Sequence, residues 1–303
     1  MSRTEPVLTI GMAVYNGEQT VGRAIESLLA QTFGDFSLLV SDNASTDSTE
    51  SICRDYARSD DRVRYVRQPV NLGAPGNFGF LVREADTPFF MWAACDDIWH
   101  PTYVERNLAA LREDPARVCS VSRVAFVGPD GLEPYEGPHR LEGGTFPLKG
   151  APHENLVAFL QRPQCNSRFY GVFRTEVLRR CFSADERYLA SDWVVMARTL
   201  GYGKHHEVPE VLMRRSAAGE SSNVTDMILN FNSSWVSRYL LPMLPMTQRI
   251  ASSPDVPLDI RNSRAWLRAW SRIACLNVHE TRNHLKQLRR RWIRARLAKT
   301  SPV

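Results

Sequence analysis

Two adjacent carboxylates, Asp96 and Asp97, are the side chains of this sequence best suited to chemistry. They follow an apolar run over residues 89–95, which predicts a buried strand of a parallel sheet. In open α/β sheets, ligands bind in the crevice beyond the carboxyl ends of the strands. Carboxylates are hard oxygen ligands suited to Mg²⁺ or Mn²⁺. The pair therefore predicts a site for a metal-bound diphosphate, and a surface turn capped by acids is the alternative.

The chain before this pair alternates between strand and helix patterns. Residues 7–15 and 36–41 are predicted apolar strands, and residues 63–66 form a third, shorter one. A helical spacing of apolar residues follows the first strand, and the N-capping residue types of 42–49 predict a second helix. This order favours a parallel sheet with right-handed crossovers.

Four segments occur in a specific order, namely residues 13–16, residues 42–47, residues 71–73 and the pair Asp96-Asp97. In that order they resemble the nucleotide-sugar-binding half of family 2 glycosyltransferases with the GT-A fold, over about residues 5–215. The resemblance implies an α/β fold with a mostly parallel central sheet flanked by helices. It also implies inverting transfer of a sugar from a nucleoside-diphosphate sugar, with a UDP-sugar as the expected donor. The acceptor would be a hydroxyl of a glycan, a lipid-linked glycan or a small glycoside.

The resemblance implies roles for individual residues at the donor site. Ala13, Tyr15 and Asn16 would line the nucleotide pocket. Asp42 would accept a hydrogen bond from the base or ribose, because an ionised Asp at a strand end binds N–H and O–H donors strongly. A plain helix cap is the alternative for residues 42–49. Asn71 would contact the donor, or else belong to a turn that needs positive φ at Gly73.

The metal and the diphosphate also receive candidate ligands from the resemblance. Asp97 would bind Mg²⁺ or Mn²⁺, with Asp96 beside it against the ribose or the metal. The metal would neutralise charge that develops on the departing diphosphate. Arg214 or Arg215 could bind the diphosphate through a bidentate guanidinium.

Asp192 is the candidate general base, at the start of an apolar helix predicted from residues 188–197. In inverting relatives an Asp at the matching position takes the proton from the attacking acceptor hydroxyl, and a carboxylate ionised at neutral pH can do this. The alternative is that Asp192 only interacts with the helix dipole.

Two departures from the family pattern concern the same site. The position two residues before Asp96, where the family usually has an acid, is Ala94, so the resemblance does not imply ribose binding by an acid there. Many relatives also carry a His shortly after the Arg pair, and this chain has none there. His205 and His206 are predicted to precede the strand and to lie at its edge.

Two other functional classes stay open at this point. A nucleotidyltransferase shares a similar α/β core, but it would be expected to carry a Gly-rich, Arg-containing loop after the first strand, where this chain has Tyr-Asn-Gly-Glu over residues 15–18. A non-catalytic sugar-nucleotide-binding or scaffold protein of a glycan assembly pathway is compatible with Ala94, although Asp192 speaks against it.

The middle of the chain offers fewer signals. Residues 118–127 predict a strand with alternating character, and residues 168–173 predict another at the acceptor side. Residues 132–150 are rich in Gly and Pro and predict a loop over the site.

Composition agrees with a cytoplasmic enzyme. The 303 residues are 43% hydrophobic and 23% charged, and they can bury a sizeable core. No apolar run approaches the ~18 residues of a spanning helix, and the first residues carry no signal-peptide pattern. The six cysteines lack metal-type spacing, which is typical of a reducing compartment.

We predict two parts of the chain, a catalytic domain over residues 1–222 and a basic helical extension over residues 223–303. Residues 261–303 contain 12 Lys or Arg and one acid, Glu280, so they carry a net charge of +11 while residues 1–260 carry −6. This tail, interleaved with Trp and Leu, could contact the inner face of an anionic membrane. It could equally pack its apolar stripe on the domain or on a second subunit. No nucleic-acid motif is present.

Overall fold

The computed structural model of the protein describes residues 5–128, 145–161, 166–217, 224–257 and 264–300. In its first part, strands and helices alternate as β1 (Leu8–Val14), α1 (Val21–Leu29), β2 (Phe36–Asp42), α2 (Thr49–Ser59), β3 (Val63–Arg67), α3 (Gly73–Glu84) and β4 (Phe89–Ala94). The next elements are β5 (Ile98–Trp99), α4 (Tyr103–Glu113) and β6 (Arg117–Val127).

Short elements connect β6 to the last strand. They are α5 (Pro152–Gln161), a 3-10 helix (Asn166–Tyr170), β7 (Val172–Arg174), α6 (Thr175–Cys181), α7 (Ser191–Tyr202) and β8 (Lys204–Ser216). Helices α8 (Val224–Phe231), α9 (Trp235–Tyr239), α10 (Leu244–Ser252) and α11 (Arg264–Thr300) follow. Within these described ranges, no helix is both long enough and apolar enough to cross a bilayer.

The eight strands form one mixed sheet in the order β3-β2-β1-β4-β7-β6-β8-β5. The first four of these strands run parallel, β7 is antiparallel to β4 and to β6, and β8 runs parallel to β6. The predicted α/β fold with a mostly parallel central sheet is therefore confirmed. Because β1, β2 and β4 are parallel neighbours, the residues after each of them meet at one edge of the sheet.

Helices cover both faces of the sheet because the strands are apolar on both faces. In β1, Leu8, Ile10 and Met12 pack with α1 and α4 in one hydrophobic cluster. Trp92 of β4 belongs to a second cluster that includes residues of α3, α5, α6 and α7. Nearly continuous apolar strands of this kind are typical of sheets buried on both sides.

The C-terminal helices share the second hydrophobic cluster. Met246 of α10 and both Ala269 and Ile273 of α11 are buried in it, together with residues of α5 and α7. Asn232 also donates from Nδ2 to two carbonyl groups and accepts from the Leu189 N–H at 3.1 Å. The N-terminal part of α11 therefore packs on the sheet domain, and the domain boundary at residues 222–223 stays a prediction.

Three local predictions have different outcomes. The strand over residues 118–127 is confirmed by β6. The strand predicted over 168–173 is wrong in its first half, because residues 166–170 form a 3-10 helix and β7 begins at Val172. Most of the loop predicted over 132–150 lies outside the described residues.

The two histidines also differ from expectation, because His205 and His206 lie within β8 and not before it. His205 is buried, and neither of its ring nitrogens has a hydrogen-bond partner in the described part of the chain. Burial, with a smaller contribution from Arg168, holds the pKa of His205 well below its usual value.

This burial predicts a loss of stability in acid. Below a pH of about 6.5 the unfolded chain binds a proton at His205 and the folded chain does not, so the free energy of unfolding falls as the pH drops. Between about pH 7.5 and about pH 5.5, His205→Leu should remove about 1 kcal/mol of that fall in urea titrations. The control is His279→Gln, which replaces an exposed histidine of α11 and leaves His205 in place, so the part of the fall that His205 causes should remain. Equal pH dependence in both variants would contradict the prediction.

Candidate functional site

The site edge is defined by the register of the parallel strands. Ala13 pairs with Ser41 on one side and with Ala94 on the other, and Val14 pairs with Asp42. The segments that follow β1, β2 and β4 therefore emerge side by side. The motifs at residues 13–16, 42–47 and 96–97, which are distant in sequence, lie at one edge of the sheet.

The loops after β1 and β2 hold each other through hydrogen bonds from backbone N–H groups to side-chain oxygens. Asn16 has a φ of 48°, and its Oδ1 accepts from the Thr46 N–H at 2.8 Å. Other bonds join Asn16 N to Ser45 Oγ, Gly17 N to Thr49 Oγ1, Glu18 N to Asp47 Oδ2 and Ser48 N to Glu18 Oε2. Tyr15 is 41% exposed beside these loops. The result is an ordered rim with an aromatic ring open to a ligand.

Asp42 is fully buried and is already bound by three donors of the protein. Its Oδ1 accepts from the Ser45 N–H at 2.8 Å, and its Oδ2 accepts from the Tyr65 hydroxyl at 2.7 Å and from Arg67 Nη1 at 3.3 Å. Burial, reinforced by this carboxylate, raises the pKa of Tyr65. The N-cap residue of α2 is Ser48, which makes no side-chain cap bond, and the N–H of the first helical residue, Thr49, donates to Asp47 Oδ1 at 3.0 Å. Direct contact of Asp42 with the donor stays a prediction.

Asn71 lies next to this edge through a pair of amide contacts. Asn43 Nδ2 donates to Asn71 Oδ1 at 2.8 Å, and Asn43 Oδ1 accepts from the Leu72 N–H at 2.8 Å. Gly73 has a φ of +72°, which confirms the turn expected there. The loop before α3 is thus attached to the loop after β2, and a donor contact of Asn71 stays a prediction.

The acidic pair faces Arg215 of β8. Asp97 is buried; its Oδ1 accepts from the Ser216 N–H at 3.0 Å, and its Oδ2 lies 3.6 Å from Arg215 Nε. Burial raises the pKa of Asp97 to about 7, although Arg215 lowers it. Burial also raises the pKa of Asp96, again against Arg215. A buried carboxylate, a half-buried carboxylate and a half-buried guanidinium therefore lie close together.

The two arginines differ in placement. The Arg215 guanidinium lies over the Tyr170 ring at 4.6 Å from its centroid, whereas Arg214 is exposed and pairs with Ile98 of β5. Neighbouring residues of a strand point to opposite faces. The structure therefore brings Arg215 to the acidic pair and places Arg214 on the other face of β8, and diphosphate binding by either arginine stays a prediction.

The 3-10 helix connects the acidic pair to Asp192. Asn166 Nδ2 donates a short hydrogen bond to Asp192 Oδ2, and Ser167 Oγ accepts from Arg215 Nη1 at 3.1 Å. Burial raises the pKa of Asp192, opposed by the Asn166 bond. Ala190, directly before α7, has a left-handed φ of 63°. Two side chains of one short helix thus hold the candidate base and the guanidinium.

Sequence reasoning missed Asn166 and Ser167. Residues 166–169 are all buried, which period-two alternation does not allow in a strand with one polar face. The signal available in the sequence was the polar pair Asn166-Ser167 ahead of three large side chains, which fits an irregular buried turn better than a strand.

A divalent metal is compatible with the residues present. Among the described residues, no group of three or more His, Cys, Asp or Glu could hold a metal. Mg²⁺, however, is usually bound by one or two carboxylates together with substrate phosphates. Asp96 and Asp97 are adjacent, and the buried Asp97 Oδ2 has no hydrogen-bond partner within the described part of the chain. That oxygen is ion-paired with Arg215 Nε at 3.6 Å but accepts no hydrogen bond from a described residue, so it retains lone pairs for a cation.

Comparison with known proteins identifies a family and relatives that match part of the chain. The family model described as Glycosyl transferase family 2 matches residues 9–182, more than half of the chain. The dTDP-rhamnosyl transferase RfbG of Shigella flexneri is 29% identical over 120 residues, which are 38% of this chain and 42% of that protein. The UDP-Glc:alpha-D-GlcNAc-diphosphoundecaprenol beta-1,3-glucosyltransferase WfgD of Escherichia coli is 30% identical over 105 residues, 35% of this chain and 41% of that protein. The match thus spans about two fifths of each relative.

Solved structures of similar fold cover more of the chain. S. aureus TarS in complex with UDP has a TM-score of 0.54 at 16% identity, covering 88% of this chain and 79% of that one. The mannosyltransferase PcManGT from Pyrobaculum calidifontis, in complex with GDP-Man and Mn²⁺, has a TM-score of 0.59 at 15% identity, covering 99% of this chain and 77% of that one. At these identities the likeness establishes the fold, which is the GT-A fold.

The bonds between the first two loops predict a stability effect at Asp47. Asp47→Ala removes the acceptor of the Glu18 and Thr49 N–H groups, at 3.1 and 3.0 Å, and should lower the free energy of unfolding by about 1–2 kcal/mol in urea titrations. The control is Asp55→Ala, because Asp55 is exposed on α2 and pairs with exposed Arg58, so the change should stay below about 0.5 kcal/mol. Equal losses in both variants would contradict a role for these loop bonds.

Proposed function

Since the chain belongs to glycosyl transferase family 2, we propose that it is an inverting hexosyltransferase that uses a UDP-sugar. The acceptor is a hydroxyl of a glycan, a lipid-linked glycan or a small glycoside. The names of WfgD and of the TarS complex, with UDP-Glc and UDP, support the donor class. Those of RfbG and PcManGT, with dTDP and GDP-Man, make the other nucleotides the alternatives to test.

The observation that carries the proposal is the grouping of Asp97, Asp192 and Arg215. These residues come from the end of β4, from α7 and from β8, and the contacts of Ser167 and Asn166 link them. Burial lowers the pKa of Arg215, but Asp97, Tyr170, Asp96 and Asp192 together raise it above its usual value. A permanent cation flanked by a candidate base and a candidate metal ligand suits transfer from a diphosphate.

The reaction follows from this arrangement. Asp192 takes the proton of the acceptor hydroxyl, whose oxygen forms a bond to the anomeric carbon of the donor sugar. The bond from that carbon to the diphosphate oxygen breaks on the opposite face, its electron pair leaves with the nucleoside diphosphate, and the configuration inverts. Arg215 stabilises the charge on the leaving group. Mg²⁺ or Mn²⁺ held by Asp97, with Asp96, would neutralise the same charge when bound. Because burial raises the pKa of Asp192, this carboxylate is a stronger base than an exposed one.

A non-catalytic donor-binding protein is the second candidate, and Ala94 is the observation that favours it. Ala94 ends β4 where the family usually has an acid, so this chain lacks one polar contact at the ribose. Such a protein would bind a nucleotide sugar without turnover in the presence of any acceptor. The two candidates therefore both bind the nucleotide sugar, and only the transferase moves the sugar to an acceptor.

The test of donor use is a thermal-shift screen of the full chain with UDP-, GDP-, dTDP- and CMP-sugars, each with Mn²⁺ and with EDTA. A ligand that binds only the folded state raises the unfolding temperature by mass action, equivalent to about 2.7 kcal/mol at a hundredfold excess over Kd. We expect a shift with UDP-sugars. A shift with a different nucleotide would correct the donor, and no shift with any donor would contradict the proposal.

The role of Asp192 predicts a separation of binding from transfer. Asp192→Asn keeps the shape of the side chain but removes the base, so transfer should fall about 100- to 10,000-fold while the donor thermal shift is unchanged. Asp185→Asn is the matched control, because Asp185 is an exposed carboxylate on the segment before α7. Unchanged transfer by Asp192→Asn would show that another group is the base.

The role of Asp97 predicts a loss that depends on the metal. Asp97→Ala should weaken UDP-sugar binding about 10- to 100-fold in Mn²⁺ and much less in EDTA, as measured by calorimetry. Asp86→Ala, which removes an exposed carboxylate just before β4, is the control. An equal loss for Asp97→Ala with and without metal would contradict metal binding at this residue.

A further inference from the structure

The outer face of α11 carries an apolar stripe that the sheet domain does not cover. Its exposed members, spaced eleven and then seven residues apart, are Leu267, Val278, Leu285 and Trp292. This spacing keeps them on one face of a helix. Ala269 and Ile273 already bury the opposite face in the domain core. The helix therefore has a second apolar face, which a helix that only packs on its domain does not need.

Helix α9 extends this stripe into a patch. Trp235 is 65% exposed, and Leu240 and Leu241 are exposed next to it. α9 is fixed to α11 because Thr281 Oγ1 donates to the Leu240 carbonyl at 2.6 Å, and the Tyr239 ring lies near His284. We define the tail patch as six of the exposed apolar residues of this region, namely Trp235, Leu240, Leu241, Leu285, Trp292 and Ile293.

Basic side chains adjoin the tail patch. Exposed cations on the same half of α11 are Arg282, Lys286, Arg289, Arg290 and Arg294. The Arg296 guanidinium lies 5.2 Å from the centroid of the Trp292 ring. All described side chains from 289 onward are exposed, so this end of the helix carries its arginines and Trp292 away from the domain. Aromatic and aliphatic groups next to arginines are the composition of helices that lie at membrane interfaces.

The charge distribution distinguishes between the possible occupants of the patch. Residues 261–303 carry a net charge of +11 and residues 1–260 carry −6. Two copies of α11 laid stripe to stripe would bring their arginines together, and like charges at such an interface cost free energy. An anionic lipid surface neutralises those arginines instead, and it repels the acidic part of the chain, which orients the molecule.

We propose that the tail patch binds the surface of an anionic lipid bilayer. Trp235 and Trp292 lie at the level of the headgroups, and the arginines of α11 pair with lipid phosphates. The binding is peripheral and depends on salt, because it combines a small apolar area with exposed charges. It concerns a surface separate from Asp192 and Asp97, so it holds whether or not the proposed transferase activity is correct.

The test is co-sedimentation of the full chain with vesicles of phosphatidylcholine, with and without about 30% phosphatidylglycerol, at about 0.1 M and about 0.5 M salt. We expect binding only to the anionic vesicles, with a large loss at high salt. The double variant Arg289→Gln/Arg290→Gln should bind about 25-fold more weakly, since each charge near the surface contributes about fivefold. Trp292→Ser should also weaken binding, and Trp292 is 61% exposed, so the fold should survive.

The matched control is Arg58→Gln/Arg83→Gln, which removes two exposed arginines from α2 and α3 without touching the tail patch. This variant should bind like the unchanged protein, and all variants should keep the same far-UV circular dichroism. Absent binding to anionic vesicles, equal binding to neutral ones, or equal binding by both arginine pairs would overturn the proposal. A dimer in light scattering that Trp292→Ser dissociates, without vesicle binding, would also overturn it and assign the stripe to a second copy.

Discussion

The ion pair between Arg215 and Asp97 is the interaction on which the candidate site depends. Asp96 and Asp97 are adjacent, and burial raises the pKa of both carboxyl groups. Without a nearby cation, two such groups would not both stay ionised, because like charges in a buried site disfavour each other. Arg215 opposes that shift at both residues and also at Asp192. One guanidinium therefore favours the charged form of all three candidate functional carboxyl groups.

Holding that guanidinium in place requires elements that are distant in sequence. Arg215 is fixed by the Ser167 hydroxyl on one side and by the Tyr170 ring on another. Tyr170 is itself held, because its carbonyl accepts from the buried Tyr103 hydroxyl of α4 at 2.9 Å. The 3-10 helix therefore contacts both the domain core, through Tyr103, and the site, through Arg215. A buried cation held by aromatic and hydroxyl groups keeps its charge close to the carboxylates at little cost in side-chain entropy.

The sequence predicts the sheet better than it predicts the site. Apolar runs ending on polar motifs are enough to place β1, β2 and β4, and their parallel pairing brings residues 13–16, 42–47 and 96–97 together. Only one of the two arginines can reach the acidic pair, and the face of β8 on which each side chain lies decides which one. The pattern of apolar and polar residues around 214–215 does not define that face. The contacts of Asp42 with β3 depend on strand register, which no local pattern contains.

Composition alone left two alternatives for helix α11, namely packing on the domain and contact with a membrane, and a different part of the helix suits each. Its first half packs in the hydrophobic core with residues of α5 and α7. Its C-terminal end is basic, and every described side chain from residue 289 onward is exposed. A rigid helix fixed at one end gives the tail patch a defined direction relative to the sheet, because helical hydrogen bonds transmit orientation along the whole length. Binding of the tail patch to a surface would therefore also orient the candidate site, which lies at the edge formed by β1, β2 and β4, relative to that surface.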